Sequence, residues 1–335
     1  MQSHVVGIDG EAAARERTLA LTRRHPLPPG WSLEETFLQE ITVGELRLCM
    51  AGLVAGDGAS QALGSAAESD SYPVERAYFE LLERVSIQEA RRAQQLALRD
   101  RTGGLLEQRS AARVFAAEPA PERLRLALSN GVALQSSWQA ACSTAVRELV
   151  ERDRVLRSFA GELPVRPLPA EPCALAPEYR SAAYALGEPG PQLGLHVVTV
   201  VLSPRTPENP LVYGFGAAES LREARARAER EARQRLAFLW GEALPTHAPE
   251  PAPTPDFHQE HFLYPPHHAQ LFAWLEGKLP PASRRTRPFD GDRLSFVDLT
   301  PVALHSTGLC VVKASSPHAR KLRFGCTRGR PHPVV

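Results

Sequence analysis

The sequence predicts a mixed α/β or α+β fold: a single compact domain with long carboxylate-bearing helices packed on a mixed β-sheet. Three observations support this prediction. Strand-like and long helix-like segments interleave along the 335 residues, the hydrophobic fraction of 43% is ordinary for a globular protein, and two helix-like segments carry the same acidic motif. A chain of this length has ample core, whether it forms one large domain or two smaller ones.

Hydrophobic periodicity and turn residues predict the elements in chain order. Residues 1–40 are polar, and residues 41–54 alternate enough to predict one strand that enters a glycine-rich loop at 56–60. A helix, a short strand, a turn and a second helix follow. After a proline-rich connector at 163–177 come two strands, a third helix, two short strands and a basic tail. The bounds of these nine predicted elements are 74–98, 112–117, 129–131, 137–157, 195–202, 211–217, 220–240, 296–299 and 309–314.

The acidic motif Glu-Leu-x-Glu-Arg occurs twice, at residues 80–84 and 148–152. Residues three apart share a helix face, so each copy presents two carboxylates side by side. Such spacing is also typical of a solvated salt-bridge face, but two near-identical copies with apolar residues between the glutamates favour a functional role. Unpaired buried carboxylates are costly, and Mg²⁺ prefers oxygen ligands. We therefore expect one cleft to be lined by the Mg²⁺ ligands Glu80, Glu83, Glu148 and Glu151.

Composition excludes several classes of protein. The net charge of +1 gives no argument for binding nucleic acid or a membrane surface. Five scattered cysteines without a C-x-x-C pair argue against a disulfide framework or a structural zinc site. The N-terminus has no apolar signal region, and no uncharged run approaches the roughly 20 residues of a membrane helix. We therefore expect a cytoplasmic protein.

Three further motifs are weaker. The glycine-rich residues 56–58 lack the lysine and spacing of a Walker A loop. Four histidines cluster at positions 258, 261, 267 and 268; a metal site is conceivable there, although a polar loop with aromatic anchors is the favoured interpretation. The basic C-terminal run either contacts phosphates or is a solvated end. We expect it to approach the acidic cleft, together with Arg152 and Lys313.

Taken together, these residues resemble the YcaO family, ATP-dependent enzymes that activate peptide backbone amides. The first family signature, S-x-x-x-E-x-x-E-R, matches residues 76–84 except at the serine, and the second follows from Ser129-Asn130-Gly131 to Asp153 without a gap. Residues 214–218 and the helix bearing Glu231 look like the third block, and residues 297–317 look like the C-terminal segment. The resemblance is greatest to the azoline-forming branch. It implies a YcaO-like domain at 45–335 after an N-terminal extension at 1–44.

The resemblance also implies a mechanism and residue roles. In the family, a Cys, Ser or Thr side chain of a substrate peptide attacks the preceding backbone carbonyl. The resulting oxyanion takes a phosphoryl group from ATP, and phosphate leaves to give a thiazoline or oxazoline. The four glutamates would hold Mg²⁺, while the expected nucleotide contacts are Ser129, Asn130, Arg152 and Lys313. No residue stands out as the catalytic base, for which the C-terminal carboxylate or a pocket side chain could serve.

The expected partners follow from the same resemblance. The substrate would be a ribosomally made precursor peptide, and azoline-forming systems usually need a domain that binds its leader. Only about 45 residues precede the matched region, which is short for such a domain. A separate leader-peptide-binding protein is therefore expected, and a homodimer is one arrangement that the sequence leaves open.

Departures from the family pattern leave more than one hypothesis. Arg76 stands at the serine, Ser136 replaces an asparagine, Ala140 replaces a glutamate, and Asp57 occupies a position where many members have lysine. The chain is either an active Mg·ATP-dependent cyclodehydratase or a catalytically weakened subunit that scaffolds or regulates a maturation complex. A third hypothesis is that the glutamate pairs are purely structural.

Overall fold

The computed structural model describes residues 7–115, 124–175, 177–280, 287–325 and 331–334. Helices and strands interleave through these ranges, which confirms the predicted mixed fold. By its internal contacts the chain divides into two compact units. Unit 1 comprises residues 1–115, 132–145 and 296–313, and unit 2 comprises residues 116–131, 146–295 and 314–335. The proposed boundary at residue 44 stays a prediction.

The elements follow one another along the described residues. The helices are α1 (Gly7–Arg24), α2 (Val74–Arg92), α3 (Ala111–Val114), α4 (Trp138–Phe159), α5 (Leu221–Leu239), α6 (Pro255–Leu263) and α7 (His268–Leu275). Two short 3-10 helices lie at Pro265–His267 and Val302–Thr307. The strands are β1 (Ser32–Val43), β2 (Leu46–Gly56), β3 (Gln61–Ser69), β4 (Gln95–Arg99), β5 (Leu105–Ser110), β6 (Arg125–Leu126), β7 (Val132–Gln135), β8 (Val165–Pro167), β9 (Tyr179–Leu186), β10 (His196–Pro204), β11 (Val212–Ala218), β12 (Ser295–Asp298), β13 (Cys310–Ser315) and β14 (Arg323–Phe324).

Unit 1 is built on two sheets. Strands β1, β2 and β3 form an antiparallel sheet in that order, and a second sheet has the order β5-β4-β12-β13-β7. Helix α2 packs on β2 and β3 through a fully buried apolar face that includes Ala77, Leu81 and Val85. A Cβ at Gly64 on β3 would lie 2.1 Å from Ala77 O. Only glycine therefore lets the helix backbone come this close to the strand.

Unit 2 contains a four-stranded sheet of order β11-β10-β9-β8, which is covered by α5. Small residues again permit a close approach, because Cβ atoms at Gly214 and Gly216 would lie 2.3 Å from Ala228 O and Ala224 O. Helix α4 begins in unit 1 and continues into unit 2 at residue 146. Strand β6 pairs with β14, which lies near the C-terminus, in a two-stranded antiparallel sheet.

Several predicted elements were wrong in kind or extent. The single strand predicted at 41–54 is part of a hairpin, since the chain turns at Gly44, where φ is 60°. The polar residues 1–40 contain α1 and most of β1. Both faces of β1 are exposed or half-buried, so its sequence lacks the alternation of apolar and polar residues that predicts a strand. The helix predicted at 74–98 ends at Arg92 because Ala93 is extended and leads into β4. The strand predicted at 112–117 includes most of the short helix α3, and its last two residues lie outside the described ranges.

The histidine-rich region was predicted to be a polar loop, and this was wrong. Its histidines lie on α6, on the 3-10 helix Pro265–His267 and on α7. Helix α6 begins with Thr254 as N-cap, since Thr254 Oγ1 accepts a hydrogen bond from Phe257 N at 3.2 Å. His258 and His261 are buried on this helix beside aromatic rings. A neutral imidazole packs among apolar rings when its nitrogens find partners, which sequence periodicity does not reveal. No helix in the described part of the chain is both long and apolar enough to cross a bilayer.

Candidate functional site

The first acidic motif lies on α2 in unit 1, where backbone amides hold both carboxylates. Glu80 accepts a hydrogen bond from Ser65 N at 3.1 Å and another from Arg84 Nη2 at 2.9 Å. Glu83 accepts a hydrogen bond from Leu134 N at 2.6 Å. Ser65 lies on β3 and Leu134 on β7, and each strand forms an edge of its sheet. Amides on the open side of an edge strand lack a ladder partner, so these glutamates satisfy them.

The second motif lies on α4 in unit 2 and has a different environment. Arg152 is buried between the two glutamates, with its Nη1 3.4 Å from Glu151 Oε1 and its Nε 4.0 Å from Glu148 Oε1. The side chains of Glu151 and Arg152 are only 13% and 15% exposed. Glu151 also receives a hydrogen bond from the backbone of Ala217 on the edge strand β11.

A third carboxylate joins this cluster from α5. Glu231 Oε2 accepts a hydrogen bond from Phe215 N at 2.8 Å, two residues before Ala217 on the same edge strand. The guanidinium of Arg152 lies over the Phe215 ring, 6.0 Å from its centroid. Arg152 is therefore surrounded by the carboxylates of Glu148, Glu151 and Glu231, and we call these four residues the acidic cluster.

The acidic cluster is short of positive charge. Burial raises the pKa of Glu151 from its ordinary 4.5 to about 7; Arg152 opposes this rise, while the charges of Glu231 and Glu148 add to it. Burial alone would lower the pKa of Arg152, but the three carboxylates together raise it. Within the described residues, the buried Nε of Arg152 makes no hydrogen bond. With Arg152 among them and Arg147 close enough to interact with Glu151, the three carboxylates still outnumber the cations. The partly buried site therefore favours an added cation.

Glu231 was not among the predicted ligands, although the sequence contains its signal. Residues 227–235 read R-A-x-x-E-x-x-Q-R, which matches R-A-x-x-E-x-x-E-R at residues 76–84. The structures agree as well, because Glu80 and Glu231 each follow by three residues the alanine that faces a strand glycine. Each then accepts the next backbone amide of that strand. A search for a third copy of the motif would have identified Glu231.

The residues predicted to contact the nucleotide lie in both units. Ser129 and Asn130 belong to the predicted turn, which the structure confirms: Gly131 has a φ of 71°. A Cβ at Gly131 would lie 2.8 Å from Leu149 Cδ2, so in unit 2 the turn packs on α4 at the residue that follows Glu148. Lys313 lies on β13 opposite Val132 in unit 1. Contact of Ser129, Asn130 and Lys313 with a ligand stays a prediction.

Two arginines that the sequence analysis did not select lie near the acidic cluster in unit 2. Burial and the neighbouring charge of Arg227 lower the pKa of Arg147, which immediately precedes Glu148 on α4. Arg227 pairs with Glu223 on α5, 2.7 Å away. The charges of Glu223, Glu219 and Glu151 oppose this lowering of the pKa of Arg147. Guanidiniums bind phosphate oxygens well, so this pair is a candidate phosphate contact.

Ligation of Mg²⁺ by the four predicted glutamates stays a prediction. In the described ranges, no three His, Cys, Asp or Glu side chains form a group that would hold a metal ion by themselves. Mg²⁺ differs from zinc in this respect, because it usually retains waters and is bound by one or two carboxylates plus substrate phosphates. The charge deficit of the acidic cluster fits Mg²⁺ that arrives with a nucleotide. That both glutamate pairs line one cleft stays a prediction.

Comparison with solved structures shows the fold. The structure of YcaO from Methanopyrus kandleri bound with AMPPCP and Mg²⁺ superposes with a TM-score of 0.59 at 18% identity, covering 99% of both chains. A heterocyclase in complex with substrate and cofactor gives a TM-score of 0.54 at 16% identity, covering 86% of this chain and 50% of that one. The Escherichia coli microcin synthetase McbBCD complex gives 0.52 at 13% identity, covering 84% of this chain and 87% of that one.

Comparison with curated proteins found no match. The family model described as YcaO cyclodehydratase, ATP- and Mg²⁺-binding, matches residues 109–320, which is more than half of the chain. The match includes the acidic cluster on α4 and α5. The cofactors of this family are ATP and Mg²⁺. The chain therefore belongs to the YcaO family of ATP- and Mg²⁺-binding cyclodehydratases.

Proposed function

We propose that this protein is a Mg·ATP-dependent cyclodehydratase that forms thiazoline or oxazoline rings in a ribosomally made peptide. The observation that carries this proposal is the acidic cluster, in which three carboxylates surround one buried arginine. Evolution of a stable core alone would not favour this arrangement, because apolar residues of similar volume are often equally stabilising or better. A cluster that is costly without a cation is expected where a cation has a function.

Within this proposal, the residues divide into metal ligands and phosphate contacts. Bound Mg·ATP supplies the phosphoryl group that converts an amide oxygen into a leaving group. We assign the metal-binding role to Glu80, Glu83, Glu148 and Glu151, and we add Glu231. The edge-strand amides of Ser65, Leu134, Phe215 and Ala217 orient four of these carboxylates before any ligand arrives.

Positive charge would balance the phosphates. Arg152 is fixed by its carboxylate neighbours and by the Phe215 ring, so it offers a rigid guanidinium at low entropic cost. Arg147 and Arg227 would neutralise further phosphate charge, and the turn at Ser129 and Asn130 would contact the nucleotide. Lys313 of unit 1 keeps its proposed phosphate role. The catalytic base stays unassigned.

The substrate and partner are proposed by analogy with the structural neighbours. One neighbour is a heterocyclase in complex with substrate, and another is the microcin synthetase complex with pro-MccB17 bound. These neighbours share only 16% and 11% identity with this chain, so their likeness supports the fold and suggests the substrate class. We propose a precursor peptide as substrate and a separate leader-binding protein as partner.

Mass spectrometry tests the reaction directly. The protein, its candidate partner, ATP, Mg²⁺ and a Cys/Ser/Thr-rich precursor should yield a product that has lost one water per ring. Glu231→Gln should abolish this loss. Glu229→Gln on the same helix is the matched control, since Glu229 pairs only with Arg233 at 2.5 Å among its described ion pairs. An unchanged precursor mass, with partner binding confirmed, would contradict the proposal.

A catalytically weakened subunit remains the second candidate, and Arg76 is the residue that favours it. The structure gives its guanidinium an acidic partner, Glu68 on β3, at 2.6 Å, with both side chains about two-fifths exposed. Calorimetry distinguishes the two functions. Micromolar binding of Mg·ATP that is lost in Glu148→Ala would contradict the weakened subunit, whereas no detectable binding would favour it.

A further inference from the structure

One buried histidine of unit 2 has no role in the proposed chemistry. His258 lies on α6 and is fully buried. Its Nδ1 lies 2.8 Å from His332 O, and Gly325 N donates a hydrogen bond to its Nε2 at 2.8 Å. A backbone carbonyl can only accept, and a backbone amide can only donate. These two contacts therefore require a neutral ring with its proton on Nδ1.

The two contacts of His258 lie seven positions apart in the chain, so one ring holds both Gly325 and His332. A second bond acts in the same way, since His332 Nε2 donates to Arg323 O at 2.8 Å. The rings of His258 and His332 lie 4.2 Å apart between centroids, and the Phe324 ring packs edge-on against His258 at 5.5 Å. Val334 is fully buried. Residues 331–334 are therefore docked, and we call them the C-terminal segment.

Gly325 and its neighbours are joined to the candidate site through the backbone of unit 2. Strand β14 pairs with β6, and Ala127 N donates to Leu322 O at 3.0 Å. Strand β6 leads directly into the turn that bears Ser129 and Asn130.

We propose that His258 is a positioning residue for the nucleotide site: it holds the C-terminal segment and the end of β14, and thereby steadies the turn at Ser129 and Asn130. This inference rests on the proposed function, because it assumes that the turn at Ser129 and Asn130 contacts a nucleotide. Loss of the ring nitrogens would leave Gly325 N–H and His332 O buried without partners. Gly325 and His332 would then exchange their contacts with α6 for contacts with water. Strand β14 would be held less firmly, and with it β6 and the turn that follows β6.

Hydrogen exchange and calorimetry test the proposal with paired variants. His258→Phe keeps an aromatic ring and removes both hydrogen bonds, whereas His247→Phe alters an exposed histidine of the same unit. We expect His258→Phe to accelerate amide exchange at residues 128–131, 323–325, 332 and 334 at least tenfold, and to weaken Mg·ATP binding at least tenfold. His247→Phe should change neither. His258→Gln, with an oxygen near the former Nε2, should restore protection at Gly325.

A shortened chain that ends at residue 330 separates positioning from a general loss of stability. In that background, His258→Phe should weaken Mg·ATP binding by less than it does in the full chain, because one of the two contacts of His258 has already been removed. An independent, additive effect would overturn the proposal, and so would unchanged exchange in His258→Phe or faster exchange spread evenly over unit 2. If His258→Phe does not fold, His258→Gln and the shortened chain provide the same comparison.

The proposed function can fail separately. If the unaltered protein binds no Mg·ATP, the nucleotide site is wrong, and the role of His258 is then decided by exchange alone. Faster exchange in His258→Phe confined to the C-terminal segment, β14 and the turn at 128–131 would uphold this role. Exchange that does not reach this turn would overturn it.

Discussion

The two Glu-Leu-x-Glu-Arg motifs share a sequence but differ in environment. On α2, Arg84 is 49% exposed and forms an ordinary ion pair one helical turn from Glu80. On α4, Arg152 is 15% exposed and is surrounded by the acidic cluster. Both glutamates of the first motif accept edge-strand amides, so their charges are well satisfied. In the second motif burial raises the pKa of Glu151 to about 7.

This difference shows that local spacing places carboxylates on a helix face, whereas the surrounding strands and helices decide their energetic state. The first pair is positioned at little cost, and the second is positioned at a cost that a cation would relieve. Four measurements test this difference.

The largest effect on stability is expected when the two arginines are exchanged for alanine. Arg152→Ala leaves three carboxylates without their central cation, and we expect it to lower the free energy of unfolding by about 3–5 kcal/mol. Arg84→Ala removes an exposed pair and should change it by about 0.5 kcal/mol or less. Chemical denaturation measures both. Equal effects would mean that the two motifs do not differ as described.

The second effect concerns Glu151, whose replacement should increase stability and decrease activity. In the folded protein the pKa of Glu151 is about 7, above its ordinary value of 4.5. The unfolded chain therefore loses this proton more readily, and the carboxyl of Glu151 makes folding less favourable as the pH rises above 4.5. At pH 8, Glu151→Gln should therefore raise the melting temperature. It should also reduce Mg·ATP turnover by roughly 100-fold, the scale expected when one preorganised charge contact is lost.

Glu80→Gln provides the matched control for this experiment. Its amide oxygen can still accept from Ser65 N, but its charge no longer pairs with Arg84. We expect the same loss of turnover with a small decrease in melting temperature. A decrease in melting temperature for Glu151→Gln would show that its carboxylate is stabilising and would remove the main argument for a cation site.

The third effect is a pH dependence of α6 in unit 2. Burial lowers the pKa of His261 from 6.5 to about 4; the hydrogen bond to Gln270 opposes this shift, while His267 and His258 add to it. Because the unfolded chain binds the proton more readily, stability should fall as the pH decreases from 6.5 towards 4. Hydrogen exchange should show opening of α6 before α2. His261→Gln should reduce this pH dependence, and simultaneous opening of both helices would contradict it.

The smallest effect is expected at Arg76. Arg76→Ser restores the residue type of the family signature and removes an exposed pair with Glu68, so stability should change by about 0.5 kcal/mol or less. For an active enzyme, calorimetry should give a Mg·ATP affinity within about threefold of the unaltered protein, since Glu68 already engages the guanidinium. A tenfold gain in affinity would instead favour the weakened subunit.

The sequence by itself determined the long helices and the position of the acidic motifs on them. Apolar residues at helical spacing predicted α2, α4 and α5 to within a few residues, except where α2 ends at Arg92. The resemblance to the family signatures rested on the same local spacings, and the family match confirmed it. Such features are readable because they depend on residues only a few positions apart.

The hydrogen-bond and ion-pair partners of each glutamate depend on the tertiary structure. Leu134 N reaches Glu83 across 51 positions, and Glu231 joins the acidic cluster from another helix. The burial of His258 depends on residues 67 and 74 positions further along. The energy of a carboxylate or an imidazole depends on its solvation and on the charges around it. Those are set by contacts between distant parts of the chain, which no local pattern specifies.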